Sequence, residues 1–176
     1  MSKVFEPLVT NSRKSISKHF RHYEVIRSET AAREEIDNQI YCPRVRYNAE
    51  QLGANVLDPV REHFGPYGPN SWFRGEDLER VIAGSGYLSW CKRHGREVNE
   101  VSWKIYFFNK QHPQGCAADI EIDGVSNDDL FMWIKDNLKF DQLIREFAVA
   151  GQPRSGWVHV SWDPNGKNRN QAFSIG

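Results

Sequence analysis

Apolar residues recur along this chain with two different periods. Over residues 48–64, Leu52, Val56, Leu57, Val60 and Phe64 fall on one helical stripe against polar Glu50, Asn55 and Glu62, which predicts a core-facing helix. Pro59 either breaks that helix or opens a second segment in its first turn, where a missing N–H costs nothing. Upstream, Ser28 offers an N-cap and Glu29 complements the helix dipole, so a short helix is expected to run to about Asn38. The turn cluster Gly65-Pro66-Tyr67-Gly68-Pro69 ends the long helix, and Leu78, Val81 and Ile82 mark another over residues 76–84, closed by Gly84 or Gly86. Residues 87–99 read as a polar connection whose Lys92, Arg93, His94 and Arg96 form a solvated basic face, with binding of polyanionic wall polymers as the lesser reading.

From residue 101 the period shortens. Val101-Ser102-Trp103-Lys104-Ile105-Tyr106-Phe107-Phe108 alternates like a strand with one face on a core. Ile120 and Ile122 face one way and Asp119, Glu121 and Asp123 the other, which predicts a second strand with Asp119 pointing away from the core towards a cleft. Ser126 or Asn127 caps a helix with Asp128 and Asp129 in its first turn and Leu130, Phe131, Ile134 and Leu138 as its stripe. Residues 141–147 and 157–162 are two further strands, joined by a Gly/Pro loop and expected to pair. Asp163-Pro164-Asn165-Gly166 is a turn after which residues 171–175 return as an edge strand. The class is α+β: helices packed on a small, mostly antiparallel sheet.

A length of 176 residues suits one domain, with residues 1–17 as a mobile arm and 18–176 as the folded unit. Lys plus Arg equals Asp plus Glu at 23 each, so no net field draws the chain to nucleic acid or an anionic membrane. Cys42, Cys91 and Cys116 form no paired framework and are expected to be free thiols. No apolar run reaches the ~18 residues of a membrane span and no secretory h-region is visible, so synthesis in a cytoplasm, no membrane insertion and a monomer are expected.

The chemistry lies at the strands. His112-Pro113-Gln114-Gly115-Cys116-Ala117-Ala118-Asp119 holds an imidazole and a carboxylate apart by a turn and small residues. Both suit a borderline cation such as Zn2+, and a catalytic site needs a third protein ligand and an open position. His159, in the run Trp157-Val158-His159-Val160-Ser161, is the candidate. The competing reading is a tight turn entering a strand and a satisfied core histidine. Two histidines and a carboxylate also suit non-haem iron, but those sites draw the first His and the acid from a His-x-Asp step, whereas His112 and Asp119 are seven positions apart. Cys116, although a possible zinc ligand, is taken as a bystander.

The stretch from His112 to Asp119 resembles the His-x-x-Gly-x-Ala-x-Asp signature of the M15 metallopeptidases, the D-Ala-D-Ala carboxypeptidase group, and Trp157-Val158-His159-Val160-Ser161 resembles their closing histidine strand. Phe20-Arg21-His22-Tyr23-Glu24 and Ser28-Glu29-Thr30-Ala31 are similar to the N-terminal part of phage-type members, so the resemblance covers about residues 20–175. It implies a Hedgehog/DD-peptidase fold, one Zn2+ on His112, Asp119 and His159, and hydrolysis of peptidoglycan stem peptides after release or from a virion. Where the family has Ser-Gly-Tyr-Arg this chain has Ser71-Trp72-Phe73-Arg74, which implies substrate binding by Ser71 and Arg74 and a catalytic role for Arg74. The bland alternative for Arg74 is a surface pair with Glu76 or Asp77.

Two further positions depart from the family. Many members carry a catalytic acid three residues before the last histidine, where this chain has Gly156, and Lys110 stands where Ser is common. Leu143-Ile144-Arg145-Glu146 resembles a Glu stretch of phage-type members, which implies Glu146 as the general base. Its bland alternative is a salt bridge to Arg145 or Arg154, and Glu121 and Asp163 are the other candidate bases. The rival to an enzyme is a catalytically silent, metal-containing wall-binding or virion module on the same fold.

Overall fold

A computed structural model describes residues 7, 8 and 13–176. Short helices α1 (His22–Ile26) and α2 (Glu29–Arg33) open the fold, and the Ser28 hydroxyl caps α2 by accepting from the Ala31 N–H. α2 stops well short of Asn38, because the chain turns into a positive φ of 53° at Glu35. The expected helix over 48–64 is longer than its apolar stripe. α3 (Pro43–Leu52) passes through a π-helical turn (Gly53–Leu57) into α4 (Asp58–Phe64). In the widened turn the Asp58 N–H reaches back to the Gly53 carbonyl, and Pro59 falls in the first turn of α4 without breaking the run.

Most of the expected arm lies outside the described residues, but its last part is fixed. Ile16 is buried in the core, and the Asp58 carboxylate accepts from the Ser17 hydroxyl and from the Lys18 and His19 N–H groups. The packed unit therefore includes residues before 18.

α5 (Glu76–Ile82) follows the expected stripe, and then the structure departs from the pattern. Residues 84–108 form two helices, α6 (Gly84–Arg93) and α7 (Glu100–Phe108), where a polar connection and a strand were expected. Asn99 caps α7 by accepting from the Ser102 N–H, and Trp103, Tyr106 and Phe107 pack at helical spacing with Tyr87 and Cys91 of α6 in a small core of their own. Val101 is left 68% exposed, although an alternating strand would have put it on the same face as the buried Trp103.

The remaining elements are β1 (Ala117–Ile120), α8 (Asn127–Asn137), β2 (Gln142–Glu146), β3 (Trp157–Ser161) and β4 (Gln171–Ile175). They build one mixed four-stranded sheet of order β1-β3-β2-β4. β3 is antiparallel to both neighbours, but β4 lies parallel to β2. The turn after β3 forms as expected, yet it cannot close a hairpin, because both edges of β3 are already paired.

Alternation sorts the sheet into two faces. Ala118, Ile120, Leu143, Val158 and Val160 are wholly buried and meet Leu130 and Ile134 of α8, which Ser126 caps. The opposite face carries Asp119, His159 and Ile144 in one row, with Glu146 opposite Trp157 in the next.

Candidate metal centre

His112 comes from a turn, Asp119 from β1 and His159 from β3. Gly115, at φ 71°, brings the turn against α3: a Cβ there would lie 2.6 Å from the Val45 carbonyl oxygen. The Asn48 side chain donates to the Gln114 carbonyl at 2.8 Å and clamps the same turn. Asp119 is held on both sides, by His159 in the β3 register and by reciprocal backbone hydrogen bonds with residues 70 and 71 at 2.8 Å.

The three side chains are buried, and their ligand atoms lie within 4.8 Å of one another. His112 Nε2 is 3.2 Å and His159 Nδ1 2.9 Å from the same Asp119 oxygen, Oδ1. His112 Nδ1 sits 2.7 Å from the Trp72 carbonyl oxygen. A carbonyl only accepts, so Nδ1 carries the hydrogen and a neutral His112 turns the lone pair of Nε2 inward. Burial pushes His112 below its usual range, which favours that neutral form. Burial alone would raise Asp119, but His112 and His159 hold its carboxyl well below the usual carboxylate range. Two imidazole nitrogens around a buried carboxylate oxygen could hold a metal ion, and the donor set fits a zinc ion with three protein ligands.

A cavity of ≈ 960 Å3 opens on the cluster, lined among others by Ser71, Arg74, Glu146 and Trp157. A second hollow of ≈ 690 Å3 shares Ser71 and Arg74 in its wall. Arg74 is not the surface residue of the bland reading. Its Nη2 donates to Asp119 Oδ2 at 2.6 Å and its Nε to the Ser71 hydroxyl at 2.9 Å, while Nη1 is 3.9 Å from Glu79. The arginine thus takes the carboxylate oxygen that the histidines leave, which directs Oδ1 at the centre.

Glu146 stands half-buried in the cavity wall on the same sheet face as His159. Burial raises its carboxyl, as does the charge of Asp119, against the opposing charges of His159 and Arg74. Arg145 points to the other face and donates to Asp128 at 3.0 Å, and Arg154 reaches the Gly124 carbonyl, so neither forms the salt bridge considered for Glu146. Gly156 has a physical reason to lack a side chain: at φ 57°, a Cβ would lie 1.8 Å from the Glu146 carbonyl oxygen. No carboxylate can occupy that position without parting β2 from the loop before β3.

Of the other candidates, Glu121 is exposed at the cavity rim beside the Asn70 side chain, and Asp163 caps its own turn by accepting from the Asn165 N–H. Cys116 approaches the Gln114 carbonyl, and burial pushes its thiol up to about 11. Lys110 lays its ammonium over the Tyr106 ring at 4.5 Å. The sequence pattern missed Gln111, whose Oε1 is 3.1 Å from His159 Nε2, and the buried Glu79, whose carboxyl burial raises. It also missed the Trp72 carbonyl, since a backbone orientation leaves no mark in residue type. No protein-family model, curated protein or solved structure matches the chain, so the site stands on its geometry. Among the described residues no helix is long and apolar enough to cross a membrane.

Proposed function

We propose that the protein is a zinc-dependent peptidase acting on peptidoglycan stem peptides. The observation that carries the reading is the convergence of His112, Asp119 and His159 at the floor of a cavity whose wall holds a carboxylate, Glu146. A zinc ion held there would supply Lewis-acid activation for hydrolysis. The chain's own residues do the rest. Glu146, with its raised carboxyl, takes a proton from water and returns it to the leaving amine. Arg74 orients Asp119 and, with Ser71, lines both adjoining hollows, where an extended peptide can lie across the centre. The resemblance to M15 peptidases supplies the substrate class, and the geometry supports hydrolysis in general.

The test is zinc content together with release of peptide termini from purified bacterial sacculi, with and without a chelator. About one zinc per chain and chelator-sensitive cleavage are expected, both lost in His112→Ala. Zinc without cleavage of any peptidoglycan tested would favour the silent binding or virion module, and absence of bound metal would sink both.

A further inference from the structure

A chain of hydrogen-bonded side chains runs along the cavity wall to His159, and its donors and acceptors are fixed as far as the Nε2 side of that ring. It starts at Arg169. Its Nε donates to Asp141 Oδ1 at 2.7 Å and its Nη2 to Oδ2 at 2.6 Å. A carboxylate forked in this way is an acceptor only. Asp141 Oδ2 also lies 3.0 Å from the Gln111 amide, so the atom facing it must be Nε2, which donates in addition to the Ser161 hydroxyl at 2.9 Å. The ambiguity of an amide is thereby removed. Gln111 Oε1 must then face His159, 3.1 Å from its Nε2, and an amide oxygen only accepts.

We propose that Gln111 is the positioning residue of the metal centre: as the middle link of Arg169–Asp141–Gln111–His159, it makes His159 carry its hydrogen on Nε2 and present Nδ1 to the ion. The functional consequence rests on the metal-centre reading above, but the hydrogen-bond assignment does not. Gln111 lines the same cavity and meets the cluster at the His159 ring. It acts through the ring, as outer partners of ligand histidines do, and loss of such a partner typically costs about 10- to 100-fold in metal affinity.

The experiment compares wild type, Gln111→Leu, Gln111→Glu and the double variant Gln111→Glu/Asp141→Asn, all as full chains. Nitrogen-15 spectra of the histidine rings in metal-free protein at pH 8 read the hydrogen position, and competition with a chromogenic chelator reads zinc affinity. In wild type, His159 should carry its hydrogen on Nε2. Gln111→Leu should bind zinc about 10- to 100-fold more weakly. Gln111→Glu should weaken it similarly, because two carboxylates then face each other, and Asp141→Asn should restore part of that loss by supplying the missing donor while giving up the Arg169 Nη2 bond. A His159 Nε2 without hydrogen in wild type overturns the proposal, as does unchanged zinc affinity in Gln111→Leu. So does a double variant no better than Gln111→Glu, since a role in bulk packing predicts no rescue. If the wild type binds no zinc, the metal-centre reading fails, and the ring spectra alone decide for or against Gln111.

Discussion

The guanidinium of Arg74 and the carboxylate of Asp119 meet at 2.6 Å, on the one oxygen of Asp119 that the two histidines do not approach. The fork is completed by the Ser71 hydroxyl, so the arginine is fixed at two points before any ligand arrives. Its first duty is to the carboxylate, and any contact with substrate is made from that pose.

Arg74→Lys should therefore disturb the metal as well as turnover. An ammonium offers a point charge in place of two directed donors, and Asp119 would lose the partner that turns Oδ1 inward. Zinc affinity is expected to fall about 10- to 100-fold with the fold intact. Chelator competition beside a far-ultraviolet dichroism spectrum checks this; wild-type affinity in the variant would confine Arg74 to substrate.

Glu146→Gln should separate binding from chemistry. The amide keeps the shape of the carboxyl and removes its basicity, so zinc content should stay near wild type while the rate of wall cleavage falls by about two to four orders of magnitude. An active variant would turn attention to Glu79, the other carboxyl in the cavity that burial raises. Asp163, engaged in its own turn, is the weaker alternative.

Gly156→Ala and Gly95→Ala form an informative pair. Both glycines have nearly the same positive φ, 57° and 60°, so both substitutions carry the left-handed backbone cost of about 1–2 kcal/mol. A Cβ on Gly95 meets nothing within 4 Å, whereas one on Gly156 collides with the backbone of Glu146. Gly156→Ala should cost roughly 2–4 kcal/mol more, measured by urea unfolding, because β2 and the loop must separate. Equal losses would mean that the close approach relaxes without penalty.

His22 predicts sensitivity to acid. It is buried, and burial followed by the charges of Arg46 and Lys14 pushes its imidazole below the ordinary value of 6.5. Below pH 6.5 the unfolded chain takes up a proton that the folded chain resists, so stability is lost as pH falls from 6.5 through the lowered folded value. The slope has a ceiling near 1.4 kcal/mol per pH unit for one proton. Urea midpoints between pH 7.5 and 5 should fall less steeply in His22→Gln than in wild type. Parallel slopes would assign the acid response to other groups.

The sequence foretold most of the sheet and the residues that meet as the His112, Asp119 and His159 cluster, and the reasons are physical. β2 and β3 each alternate over five residues, with Leu143, Val158 and Val160 buried on one face, which leaves the other face for His159 and Glu146. α7 was hidden because Val101, Trp103 and Ile105 also alternate, and β-branched and aromatic residues favour strands. The cap at Asn99 and packing on α6 overrode that preference. The direction of β4 was invisible because it depends on which strand edge remains free, a property of the assembled sheet. Asp141 and Arg169 escaped notice for a similar cause: their pairing spans 28 residues and joins groups that look like ordinary surface charges in sequence.

The position of β3 between β1 and β2 also sets a timetable. A ribosome adding about 5–20 residues per second exposes His112 and Asp119 several seconds before His159, and the Arg169 clamp later still. In that interval the nascent chain has only two of its three ligands, a pair with weak hold on any metal. Any ion that the cluster takes would thus be captured only after the last strands have closed on the first.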